Sequence, residues 1–123
     1  MRWMKLTIYL KSWRTWLFLG YISLVLYFSL IPGDGLSWFS KLWEFDKLIH
    51  FIEYLGVGFL MINMLMIEPL KKVHWQFALI FLLLFPLFDE LLQYYTPRRI
   101  PDIYDGICDI CGGLVGAYLR KII

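Results

Sequence analysis

Residues 16–31 read WLFLGYISLVLYFSLI and carry no charged side chain. A helix that crosses the hydrocarbon core of a bilayer needs about 20 mostly apolar residues. This run approaches that length and stops at Pro32-Gly33-Asp34-Gly35, where proline and glycine break a helix. Working outward, three more such runs follow. One covers 48–67 and ends at Glu68-Pro69, one covers 73–95 and ends at Thr96-Pro97, and one covers 103–119. Backbone groups in lipid must find partners within their own segment, so these runs predict helices rather than open strands. The expected fold is all-α, a four-helix transmembrane bundle forming a single domain over residues 1–123. Pro86 falls inside the third span and predicts a kink there.

Composition agrees with this reading. The chain is 60% hydrophobic and 20% aromatic, with 18% charged residues. A soluble domain carries about 25% charged residues, and a chain of this size leaves much of its surface exposed. The bilayer accommodates the excess apolar surface. The net charge of +2 is too small to argue for a nucleic-acid partner. Basic residues before the first run resemble the start of a signal peptide. However, Ile31-Pro32-Gly33-Asp34 is not a small-residue cleavage site, so the run is read as a retained membrane helix.

Lysine and arginine set the expected orientation. Eight of the twelve, Arg2, Lys5, Lys11, Arg14, Lys71, Lys72, Arg120 and Lys121, fall at one set of span ends. Lys41, Lys47, Arg98 and Arg99 fall at the other. The richer set predicts the cytoplasmic side, with both termini inside and the loops 32–47 and 96–102 outside. Residues 1–12 are read as an ordinary positive flank in preference to an amphipathic surface helix. Trp38, Phe39, Trp43 and Phe45 read as an interfacial aromatic belt.

The polar residues gather at the outer ends of three spans. At about 100° per residue, Asp46, His50 and Glu53 share one face at the start of the second span, with Tyr54 at its edge. Asp89 and Gln93 share a face near the end of the third, with Glu90 beside them. Asp102, Asp105 and Asp109 share a face at the start of the fourth, and Gly112 and Gly116 continue that stripe inward. Small residues let helices approach closely in lipid, so the carboxylate face of the fourth span is also its expected packing face. Ionisable groups within a span cost roughly 2.5–3.5 kcal/mol each at mid-bilayer and default to a functional reading. A shared hydrated pocket is therefore expected near the outer surface, with Arg98 and Arg99 reaching over it.

Three chemistries suit such a pocket. Asp46, His50, Asp89, Glu90, Asp105 and Asp109 are ligand types for a divalent cation cofactor. His50, Glu53, Asp89 and Glu90 offer general acid–base catalysis, with Asp46 or Glu53 orienting His50. Lys47, Tyr54, Gln93, Arg98 and Arg99 offer substrate contacts, the arginine forks suiting phosphate or carboxylate. Cys108 and Cys111 form a C-x-x-C without the surrounding βαβ pattern of a redox motif, and read as small helix-packing residues. His74 stands near the membrane surface with no partner in view.

Asp46-Lys47-x-x-His50-Phe51-x-x-Tyr54, then Asp89-Glu90-x-x-Gln93, then Arg99 and Asp105-x-x-x-Asp109-x-x-Gly112-x-x-x-Gly116 together resemble the VanZ-like family. The resemblance covers about residues 16–119. It departs at Asp109, where the family usually has Asn, and at Pro97-Arg98-Arg99 in place of Pro-Gly-Arg. It implies a bacterial cytoplasmic-membrane protein linked to glycopeptide (teicoplanin) resistance, and marks Asp46, His50, Asp89, Glu90, Gln93, Arg99 and Asp105. It supplies a cellular setting and no reaction, so enzyme and binding protein both stay open. The leading expectation is a protein that binds or modifies an outer-leaflet lipid or lipid-linked envelope precursor. The alternatives are a metal-dependent intramembrane hydrolase or transferase, and a homo-oligomer or subunit scaffolding a larger membrane complex. A transporter is less favoured, because the polar groups sit at one end rather than at the midplane.

Overall fold

The structure is a computed structural model that describes residues 2–31, 46–97 and 102–123; for residues 2–4 and Asp46 it describes the backbone alone. The described residues form five helices and no strand. These are α1 (Arg2–Lys11), α2 (Trp13–Leu30), α3 (Asp46–Leu65), α4 (Lys72–Tyr95) and α5 (Ile103–Ile122). The aromatic belt expected at Trp38, Phe39, Trp43 and Phe45 lies outside the described residues.

The first helix corrects the reading of residues 1–12 as a plain flank. Ser12 interrupts the basic N-terminal segment, and its side-chain oxygen accepts from Arg14 N–H at 3.3 Å, capping α2. An N-cap serine satisfies a donor that the first turn of a helix leaves open. The apolar helix therefore begins at Trp13, earlier than the apolar run alone suggested. Trp16 Nε1 donates back to Leu10 O at 2.8 Å, tying α1 to α2.

Three helices are long and apolar enough to cross a membrane: α2, residues 47–65 of α3, and α4. Their outer faces stay bare. On α4, Leu83, Leu84, Leu87, Phe88 and Leu91 are all exposed, a continuous apolar surface that suits lipid rather than water. α4 runs through the buried Pro86 as one helix. The fifth helix matches α3 in length at 20 residues but carries Asp105, Asp109, Arg120 and Lys121.

α5 is held by the most extensive contact among the described helices, along α3. Glycine makes it possible. A Cβ added at Gly112 would overlap Phe51 O, one at Gly116 would overlap Leu55 O, and one at Gly58 would overlap Gly113 O. Each of these positions requires a residue without a side chain, which is the close backbone approach that small residues permit in lipid. The pairings advance together along both chains, so α3 and α5 run parallel. Tyr21 of α2 covers Gly56 and donates to Glu53 O at 2.6 Å.

The core between the helices is aromatic. Phe18 meets Phe81 edge-on at 5.7 Å, Phe81 stacks on Phe85 at 5.0 Å, and Phe85 lies 5.9 Å from Tyr54. Val57, Met61, Ile62 and Leu82 complete it, each almost fully buried. Polar groups close the core at both ends. At the end holding the termini, Asn63 is buried; its Oδ1 accepts from Arg120 Nε at 2.9 Å and its backbone oxygen from Arg14 Nη1 at 3.4 Å. Tyr9 OH donates to Glu68 at 3.3 Å, and burial together with that carboxylate holds the Tyr9 phenol above its usual value. His74, expected to stand alone, has partners: Nδ1 accepts from Lys71 N–H at 2.9 Å, and Nε2 lies 3.6 Å from Glu68.

Candidate functional site

The other end of the core is built from the starts of α3 and α5 and the ends of α2 and α4. Asp102 caps α5, its Oδ1 accepting from Tyr104 N–H at 2.9 Å, while its other oxygen bridges Lys47 Nζ at 2.9 Å. Lys47 also reaches Asp105 at 3.2 Å. The Lys47 contact first, and the Tyr104 backbone second, hold the Asp102 carboxyl below its usual value. One turn inward, His50 is buried between two aspartates of the partner helix. Nδ1 lies 2.8 Å from Asp109 Oδ1, and Nε2 lies 3.8 Å from Asp105 Oδ2. A carboxylate on Nδ1 favours the proton there and turns Nε2 toward Asp105.

Asp89 forms the second half of the site. It is 1% exposed, and it accepts from Tyr54 OH at 2.8 Å and from the Ser29 hydroxyl. Two hydroxyls from two helices thus hold one buried carboxylate. Thr96 Oγ1 lies 3.1 Å from Ser29 O and 2.7 Å from Leu92 O, fixing the end of α4 against α2. Gln93 is buried on the same face as Asp89. Glu90 lies toward α5, with its Cγ 3.7 Å from where a Cβ on Gly106 would stand.

These neighbours follow the order of the motifs quoted from the sequence, and a model of the VanZ/LLP1 family matches residues 1–123, the whole chain. The chain belongs to the VanZ/LLP1 family. No curated protein and no solved structure matches it.

In this VanZ/LLP1 chain, Lys47, His50, Tyr54, Asp89, Glu90, Gln93, Asp105 and Asp109 converge at one end of the helices, as their spacing suggested. The side chain of Asp46, and Arg98 and Arg99, lie outside the described residues. Glu53 contributes its backbone oxygen to Tyr21. The carboxylate on His50 Nδ1 is Asp109 of α5, an inter-helix partner that spacing along α3 alone did not offer. Ser29 was not foreseen; a serine in an apolar run gives little signal beyond its polarity.

Two further observations bear on the chemistry. Among the described residues, Asp109 Oδ2 and Glu90 Oε1 are buried and have no hydrogen-bond partner. At Asp109 this is the atom by which Asp differs from the Asn usual in the resemblance. Buried acceptors without donors are costly, so this half of the site has room in its bonding for a donor. Among the described residues, no three His, Cys, Asp or Glu side chains form a set able to hold a metal ion. The cysteines do not fill the role expected of them. Both are free, Cys111 is exposed and Cys108 half-buried, and the helix packing is made by the glycines beside them.

Proposed function

We propose that this is a multi-pass protein of the bacterial cytoplasmic membrane, with α2 to α5 as its four spans and both termini cytoplasmic. In this reading it binds or modifies an outer-leaflet lipid or lipid-linked envelope precursor through the acidic, histidine and arginine pocket. The cellular consequence is lower susceptibility to teicoplanin-type glycopeptides. The parallel packing of α5 along α3 supports a fourth span, since a helix bound alongside a crossing helix shares its path. Eight of the twelve Lys and Arg residues at the terminal end support the orientation. The observation that carries the functional reading is His50, 7% exposed and held between Asp105 and Asp109 of another helix. Buried ionisable groups within spans are expensive and mark functional sites by default.

Teicoplanin susceptibility of cells carrying His50→Ala or Glu90→Ala, with protein abundance measured in the same membranes, tests the reading. Loss of protection at normal abundance is the expected result. Full protection by both variants would sink the proposal. A second reading, a structural network, has its own support: Asp89 is satisfied within the chain by Ser29 and Tyr54. Variants that lose protection and abundance together favour it.

A further inference from the structure

A groove of about 300 Å³ runs between α4 and α5 at the end that holds the termini, away from the carboxylate site. It is lined by Trp75, Ala78, Leu79 and Leu82 on one side and by Leu114, Ala117, Tyr118 and Lys121 on the other. Both sets follow the one-face spacing of a helix, so the groove follows two antiparallel helices. Seven residues at 1.5 Å each give it a length of roughly 10 Å. Its floor is low because Ala78 and Ala117 are small and buried. Its inner end is apolar, at Leu82 and Leu114. Its outer end is cationic: Lys121 stands 5.4 Å over the Trp75 ring.

We propose that this groove binds an anionic phospholipid from the leaflet on the side of the termini. One acyl chain lies over Ala78 and Ala117, and the phosphate meets Lys121. The polarity of the groove selects this occupant. Any lipid tail suits the floor, but a cation fixed at the mouth by a tryptophan, at headgroup depth, adds attraction only for a negative headgroup. Basic clusters between or beside membrane helices recognise anionic lipids in this way. A second copy of the chain would have to bring an acidic group to the same point. Among the described residues the acidic side chains at this end reduce to Glu68, which is already engaged by Tyr9 and lies near His74.

The test reads Trp75 fluorescence. Full-length protein is placed in vesicles of phosphatidylcholine, to which brominated phosphatidylglycerol or brominated phosphatidylcholine is added as a quencher. The signal of a Trp75→Phe variant is subtracted to isolate Trp75. Half-maximal quenching is expected at an about fivefold lower fraction of the anionic lipid than of the zwitterionic one, the preference one basic side chain confers at a membrane surface. Lys121→Gln, at an exposed position, should fold normally and lose most of that preference. Equal quenching by the two lipids overturns the proposal, as does a preference that Lys121→Gln leaves intact. Absence of quenching by either lipid, with cross-linking that captures a dimer through Leu79 or Leu114, overturns it in favour of a second copy.

Discussion

At one end of the bundle, polar side chains point inward and meet one another. His50, Asp89, Asp105 and Asp109 are buried and bonded across helices. At the other end, Arg14 and Arg120 reach from the rim to a single buried amide, Asn63, while Lys71, Lys72 and Lys121 stay exposed. Long cationic side chains can keep their stems on apolar surface and their heads in water, so the terminal end avoids most of the cost of burial. Aspartate and histidine have no such reach. Placed on inward faces, they must satisfy one another or a ligand. The same contrast separates a site that is sensitive to any single deletion from one that tolerates it.

Substitutions at four residues sharpen or break that contrast. The largest effect is expected at His50. Removing the cationic or donor partner of a buried pair costs about 3–5 kcal/mol, so His50→Ala should destabilise the protein by about that amount in reversible unfolding from mixed micelles. The double variant His50→Ala/Asp109→Ala should recover part of the loss, because the orphaned carboxylate goes with its partner; a double variant worse than the sum of the single ones would refute the pairing. At the opposite end, Asn63→Ala removes one charge-assisted bond and leaves Arg120 free to reach water. It should cost only about 1–2 kcal/mol by the same measurement. An Asn63 variant as damaging as His50→Ala would erase the difference between the ends. The smallest effect belongs to the surface bridge of Lys47 with Asp102. Its carboxyl is held below the ordinary value of 3.8, so its contribution is complete above that pH and is lost as pH falls further. Wild-type protein should therefore show a small extra decline in melting temperature below about that value, absent in Asp102→Asn.

Much of this arrangement could be read from spacing. Asp105, Asp109, Gly112 and Gly116 recur on one face of a helix, and that face is buried against α3. Three of the four apolar runs became helices able to cross a membrane, and helix periodicity placed Asp89 with Gln93. What spacing could not supply was register between helices. His50 meets Asp109, 59 positions away, because Gly112 and Gly116 slide α5 to one depth along α3. Ser29 reaches Asp89 for a similar reason, through the parallel course of α2 and α4. Residues that act across an interface carry no mark in their own segment. The short helix α1 was the less favoured of two readings, because an apolar run advertises its length, whereas a ten-residue basic segment depends on where its neighbour is capped.

The glycine contact also bears on how the chain is made. On the proposed four-span reading, α5, with its two aspartates, is a poor candidate to enter lipid alone. By the time it emerges, α3 has already been synthesised, with Phe51 and Leu55 offering backbone where Gly112 and Gly116 will sit. α5 is then released beside a partner helix that can shelter its acidic face. Supplied as a separate peptide, it would be retained only in membranes that already hold α2 to α4.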